Sequence, residues 1–170
     1  MDGGQGIARR RGADGVSEIV EAGHGLIPVT EGEWAGWSFW QSDAFEQTAG
    51  PFYERREDNG DWICAFRTED RHMNGGGFLH GGCLMTFADA ALFTIARTEM
   101  HDSFGVTMNL SGDFLNPAKP GQFVEARGEV TRGGGKTIFV RGIATADGTP
   151  ILSFTGIIRK TGKRPSSLPA

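Results

Sequence analysis

The longest hydrophobic pattern in the chain runs from Gly81 to about Glu99, where Leu84, Met85, Phe87, Ala88, Ala91, Leu92, Ile95 and Ala96 put apolar side chains on almost every side of a 3.6-residue period. No proline interrupts it, and a run this long and this round predicts a central buried helix. Before it, Pro51–Glu57 and Asp61–Thr68 alternate or are rich in β-formers, and Asp58-Asn59-Gly60 between them signals a hairpin turn. After it the pattern is strand-like throughout. Gly105–Leu115 closes at Asn116-Pro117, Phe123–Thr131 turns at Gly133-Gly134-Gly135, and Thr137–Ala146 turns at Asp147-Gly148 into Ile151–Arg159. Nearer the start, Ser42 offers an N-cap to a short helix over Asp43–Thr48, stopped by Gly50-Pro51. Trp34, Trp37 and Trp40 stand three apart, a spacing that puts the rings near one face of a short helix. They read either as a satellite cluster on the core or as a lid over an apolar substrate pocket.

The order hairpin, long helix, antiparallel meander predicts an α+β domain in which an antiparallel sheet wraps around a central α-helix. One domain is expected over residues 34–162, with a mobile leader over 1–33 and a frayed tail over 163–170. A sheet that covers its helix on one face leaves an edge or the other face for a second subunit.

Composition narrows the function classes. A formal net charge of -4 argues against a nucleic-acid binder. No apolar run approaches the ~18 residues that span a bilayer, so no membrane role is expected. The first residues are rich in Gly and Arg and lack the apolar stretch of an export signal; Arg9-Arg10-Arg11 is followed by nothing hydrophobic. Together with only two cysteines, Cys64 and Cys83, this points to a reducing cytoplasm, with both thiols read as small buried hydrophobes. His24, His72 and His101 lack ligand-like spacing, so no metal is expected. A nucleophile elbow of the form Gly-x-Ser-x-Gly is absent. Arg132-Gly133-Gly134-Gly135-Lys136-Thr137 fails as a phosphate loop because Val130 stands where the first glycine is required; it reads as a hairpin loop whose Arg132 and Lys136 are exposed cations.

Candidate chemistry concentrates at Asn74-Gly75-Gly76-Gly77-Phe78-Leu79-His80-Gly81-Gly82, followed by Asp89. Gly81 and Gly82 open the predicted helix, where backbone N–H groups have no intrahelical partner. Without side chains they admit a ligand closely, and the helix dipole adds positive potential. The result is a site for a developing oxyanion. Asp89 sits among Met85, Phe87, Ala90, Leu92 and Phe93, with no cation beside it. A carboxylate in such a helix is expensive to bury, which points to work as a base or nucleophile unless it faces solvent or hydrogen-bonds Thr86. Gly81 and Asp89 are eight residues apart, which is about 12 Å along a helix. Both can act on one carbonyl only if they come from different subunits, as in a two-fold dimer with antiparallel neighbouring helices. Phe78, Leu79, Phe87 and Phe93 surround the motif, and a share of them is expected to line a pocket.

The combination of Asn74, His80-Gly81-Gly82 and Asp89 resembles the hotdog-fold acyl-CoA thioesterases of the phenylacetate-degradation (PaaI-type) group, over about residues 42–160. The resemblance implies hydrolysis of an aromatic or medium-chain acyl-CoA to acid and CoA. It implies that the N–H of Gly81, with Gly82 beside it, polarises the thioester carbonyl, that Asn74 positions that carbonyl or the water, and that His80 supports the loop. Asp89 from the facing subunit would activate water or attack directly, and Thr107 would hold the water. Phe78, Leu79 and Phe93 would line the acyl site, and Arg132 and Lys136 would touch the phosphates of CoA. It further implies dimers that pair into tetramers, with no metal and no cofactor beyond the CoA of the substrate. The long leader with three tryptophans departs from the group. Two other functions are weighed against this one. A hotdog dehydratase or hydratase would carry a His-Phe-Pro-Gly signature, which is absent; a non-catalytic acyl-CoA binder would bind the ester without releasing thiol.

Overall fold

The structure, a computed structural model, describes residues 26–101 and 103–163. Most of the expected leader, residues 1–25, and most of the tail, from residue 164, lie outside the described residues. In chain order the elements are β1 (Leu26–Pro28), β2 (Ser38–Trp40), α1 (Ala44–Ala49), β3 (Tyr53–Arg56), β4 (Trp62–Arg67), a 3₁₀ turn (Asp70–His72), α2 (Gly81–Ile95), α3 (Arg97–Met100), β5 (Ser103–Phe114), β6 (Phe123–Arg132), β7 (Thr137–Ala146) and β8 (Thr149–Lys163). The strands form one eight-stranded sheet in the order β1-β2-β3-β4-β6-β7-β8-β5. Every pairing in it is antiparallel.

The helix α2 lies against one face of this sheet, as the hydrophobic pattern predicts. Strand alternation decides which residues meet it. Cys64 and Phe66 of β4 point to the helix and join the main core, while Ile63 and Ala65 point the other way. At the centre Phe87 of α2 meets Phe52 and Phe66 at ring-centroid distances of 5.4 and 4.8 Å. Burying side chains of this size is worth about 1.5–3 kcal/mol each, far more than helix propensity contributes. Gly156 of β8 lets the sheet approach, since a Cβ there would lie 2.2 Å from Leu92 Cδ1.

Three sequence expectations are corrected. The cap of α1 is Asp43, one residue after Ser42; its Oδ1 accepts from the N–H groups of Phe45 and Glu46 at 3.1 and 2.9 Å. The long apolar run is divided at Ala96, whose φ of -81° and ψ of 5° leave the helical region, so α2 ends at Ile95 and α3 follows. The tryptophans do not share a helix face, and of their two readings the satellite cluster is the one observed, for Trp34 and Trp37. Leu26–Pro28 pairs with Ser38–Trp40, so ordered structure begins inside the expected leader. Trp34 stacks on Tyr53 at 4.0 Å, and the buried Trp37 covers Ile63 and Ala65 on the sheet face away from α2. The outer face of β3 and β4 is apolar there and needs a cover, which the β1–β2 hairpin supplies. Trp40 faces the other way, 5.1 Å from the guanidinium of Arg97.

Among the described residues strand β5 is one edge of the sheet, bonded to β8 alone, and carries the exposed apolar residues Phe104, Val106, Met108 and Phe114. Its ladder slips at Met108, because Thr107 pairs with Ile158 while Asn109 pairs with Ile157. The bulge reverses the alternation. Gly105, Thr107, Leu110, Gly112 and Phe114 therefore all face α2, although Thr107 and Leu110 have opposite parity in sequence.

Candidate functional site

The site is built around both ends of one stripe of α2. At its start, His80 is the N-cap, extended at ψ 131°, and its Nδ1 accepts from the N–H of Gly82 at 2.8 Å. This hydrogen bond fixes the ring as a support for the turn. The loop before it is equally determined. Asn74 Oδ1 accepts from the N–H groups of Gly76 and Phe78 at 2.8 and 3.3 Å, and the Asn74 N–H donates to the Phe78 carbonyl at 2.7 Å. The buried His72 anchors the base of the loop: its Nδ1 accepts from the Glu69 N–H at 2.9 Å, and its carbonyl accepts from the His80 N–H at 2.8 Å. Burial, then the neighbouring Arg71, hold the His72 imidazole below its ordinary range, so it stays neutral. The N–H of Gly81 and the side-chain NH₂ of Asn74 make no hydrogen bond among the described residues. Two donors are thus left at the positive end of the helix. The Phe114 ring lies over Gly81, where an added Cβ would stand 3.2 Å from Cζ.

Two turns along α2, half-buried Asp89 accepts a hydrogen bond from Thr107 Oγ1 at 2.6 Å. The bulge in β5 makes this possible by turning Thr107 toward the helix. The hydroxyl spends its proton on Asp89 and keeps its lone pairs for a further donor, such as a water. Thr86, the other local partner considered for Asp89, instead donates to the Gly82 carbonyl at 2.9 Å.

Residues 76–151, from the Asn74 loop through α2 to the start of β8, match the thioesterase superfamily. A candidate esterase of Pseudomonas aeruginosa is 33% identical over 91 residues, covering 53% of this chain and 68% of the relative. The chain belongs to the thioesterase superfamily. Among solved structures, an asparagine-to-aspartate variant of the phenylacetic acid degradation protein PaaI from Thermus thermophilus is 25% identical, with a TM-score of 0.60 over 69% of this chain and 98% of that one. PaaI from Escherichia coli, at 21% identity, superposes with a TM-score of 0.63 over 72% of this chain and 88% of that one. The architecture is the hotdog fold, with its long helix against an antiparallel sheet.

In this member of the superfamily the expected site residues fall into three groups. Asn74, His80, Gly81 and Gly82 converge at the start of α2, with Phe78 exposed beside them. Asp89 and Thr107 form a second group, with half-buried Phe93 one turn further along the helix. Along α2 the two groups are about 12 Å apart, so one protomer does not unite them. Leu79 is turned into the core, its N–H donating to the Ala118 carbonyl at 2.8 Å. Arg132 and Lys136 stand at the β6–β7 turn, where the Gly134 N–H donates to Glu99 of α3 at 3.2 Å; they lie at the far end of α2 from Gly81.

The structure adds a wall that sequence reasoning missed. Helix α1 crosses α2 and leaves a cleft of about 490 Å³ lined by Phe45, Thr48, Arg71, His72, Cys83 and Thr86. Arg71 fixes the end of α1, donating to the carbonyls of Thr48 at 2.8 Å and of Gly50. Burial pushes the Cys83 thiol upward, so it stays protonated at neutral pH. The carboxyl of Glu46, on α1, is raised to about 7, first by burial and then by the charges of Asp43, Glu54 and Asp89, with Arg97 opposing. The sequence showed α1 but carried no signal for where it docks.

Proposed function

We propose that the chain hydrolyses an aromatic or medium-chain acyl-CoA to the free acid and CoA, at sites formed between two copies. The hydrogen bond from Thr107 to Asp89 carries this reading, because it sets a hydroxyl of β5 that can accept from water beside a carboxylate on the long helix of a thioesterase-superfamily chain. The unbonded N–H of Gly81 supports it from the other end of the stripe. The two groups can meet on one carbonyl if a second subunit lies antiparallel to the first. The free edge of β5, with its exposed Val106 and Met108, supports pairing of two edges about a two-fold axis. The reading extends to a dimer of dimers.

The thioester oxygen binds at the N–H of Gly81, with Gly82 beside it and the Asn74 amide as a second donor. A water rests between Thr107 and Asp89 of the partner subunit. Asp89 takes a proton from this water, and the oxygen adds to the carbonyl carbon; the negative charge passes to the thioester oxygen, where the helix terminus stabilises it. Collapse breaks the carbon–sulfur bond, and the CoA thiolate takes the proton from Asp89. Direct attack by Asp89 is the variant of this scheme that passes through an acyl-enzyme. Phe78 and Phe93 line the acyl group. Neither a metal nor a cofactor is required by these steps, and among the described residues no helix is long and apolar enough to cross a membrane.

The test is a thiol-release screen over aryl- and fatty-acyl-CoAs with Asp89→Asn alongside. Turnover is expected on part of the panel and should fall by about 10²–10⁴ in the variant, the range for loss of a general base. Equal rates in the two proteins would reject the assignment.

A further inference from the structure

The cleft of about 490 Å³ between α1 and α2 opens beside Gly81, whose N–H makes no hydrogen bond among the described residues. His80 and Gly82, the residues on either side of Gly81, both line it. On α2 the wall continues through Cys83 to Thr86, and on α1 it runs from Phe45 to Thr48. Residues three apart share a helix face, so one stripe of each helix looks onto the cleft. From Gly82 to Thr86 this stripe extends about 6 Å along α2.

The walls suit an apolar guest. The Thr48 and Thr86 hydroxyls donate to the carbonyls of Ala44 and Gly82, at 3.0 and 2.9 Å. The Arg71 guanidinium donates to the carbonyls of Thr48 and Gly50 and to the Glu69 carboxylate. An apolar group can enter without breaking these bonds, and so without leaving their donors unpaired. His72 Nε2 lacks a partner among the described residues, but it is shut off from solvent and so from a ligand. Helix α1 buries none of its residues, and Phe45 is left 66% exposed on the cleft wall. A guest that covers this ring and Cys83 removes apolar surface from water.

We propose that this cleft receives the acyl group of the thioester, and that Phe45 and Cys83 set how large an acyl group is accepted. The inference rests on the reading of the Gly81 N–H as the donor to the thioester oxygen. With the oxygen held there, the carbonyl carbon lies at the start of the cleft, and the acyl group runs past Gly82 toward Thr86 with Phe45 over it. The cleft thus adds a wall to the acyl site beside Phe78 and Phe93. An acyl group large enough to reach Phe45 gains from the ring, and acetyl does not.

The experiment measures kcat/KM for acyl-CoAs from acetyl to decanoyl, with benzoyl-CoA, in the native chain, Cys83→Phe and Phe45→Ala. The quantity read is the ratio of kcat/KM for the best substrate larger than acetyl to that for acetyl-CoA. Cys83→Phe puts a ring into the cleft and should cut this ratio about tenfold or more, since one methylene in an apolar pocket is already worth roughly 10- to 200-fold. Phe45→Ala should cut it through a higher KM, as expected for lost binding. Native ratios in both variants overturn the proposal. A second measurement does not depend on turnover: alkylation of Cys83 in the native chain, read by peptide mass spectrometry. Burial keeps the thiol protonated, so the reaction is run at alkaline pH. An octyl-CoA thioether at about ten times its Kd should slow it about tenfold by mass action, and CoA alone should not. Cys64, 2% exposed, should stay unlabelled and so reports an intact fold. Absence of protection, equal protection by CoA, or protection that grows with protein concentration alone, as a second copy covering the cleft would give, each overturns the proposal. Absence of turnover on every substrate would instead sink the hydrolase reading, and the alkylation would still decide what occupies the cleft.

Discussion

Replacing Arg97 by Met should be among the most damaging single changes outside the apolar core. Arg97 is paired to Glu54, and the same carboxylate accepts from Thr94 Oγ1 at 3.2 Å. The guanidinium lies 5.1 and 5.3 Å from the rings of Trp40 and Trp62. Methionine keeps the apolar stem against those rings but removes the charge, and Glu54, 3% exposed, loses the cation bound to it. Orphaning a buried charge costs about 3–5 kcal/mol. Losing the ring–cation contacts adds roughly 0.5–1 kcal/mol each at a partly exposed site. The sum, about 4–7 kcal/mol, is comparable with the whole stability of many domains. Urea unfolding of Arg97→Met, Glu54→Leu and the double variant would read it. The double variant should recover most of the loss, because it removes the charge together with its partner. A loss under about 1 kcal/mol for Arg97→Met, or strictly additive single effects, would refute the reasoning.

Glu46 also predicts how stability depends on pH. Its carboxyl rises from 4.5 to about 7 on folding, so the folded chain holds a proton that the unfolded chain has released. The associated stability is complete below pH 4.5 and is lost as pH rises through about 7; it amounts to roughly 3 kcal/mol at ~1.36 kcal/mol per tenfold in proton affinity. Glu46→Gln should remove this fall, measured as unfolding free energy at about pH 5 and pH 8. Thr107→Ala should leave the melting temperature nearly unchanged and reduce kcat about tenfold or more, because it removes the 2.6 Å hydrogen bond that orients Asp89; a larger effect on KM than on kcat would count against this. Gly81→Ala should fold, since the facing Phe114 is 57% exposed and can turn aside, yet lose turnover because a methyl group covers the free N–H. Phe87→Ala, at 0% exposure, should destabilise by about 3–5 kcal/mol in thermal or urea unfolding.

The fold was legible where one local rule decided the outcome. The all-round apolar helix, the Asp58-Asn59-Gly60 turn and the Asp147-Gly148 turn each follow from local chemistry, and the strands between them fall within a few residues of their expected bounds. The turn that opens α2 was legible for the same reason, since Gly81 and Gly82 follow the His80 cap and start the helix by backbone geometry alone. The tryptophans misled because a three-residue spacing fits a turn leading into a strand as well as a helix; the decision belonged to Ile63 and Ala65, whose outward faces need covering. The surroundings of Asp89 depended on contacts distant in sequence. That Thr107 reaches it requires a bulge with no signature in the residues around Met108, and the cleft beside the start of α2 requires the docking of α1 through Arg71.

The bulge at Met108 makes the length of β5 a constraint in its own right. Residues before and after it present opposite parities to the same helix, so the strand behaves like a sentence with one silent letter. Deleting that letter would leave composition and hydrophobicity almost untouched while sending either Thr107 or the run from Leu110 to Phe114 to the wrong side. A one-residue deletion in this strand must therefore be matched by a compensating insertion nearby.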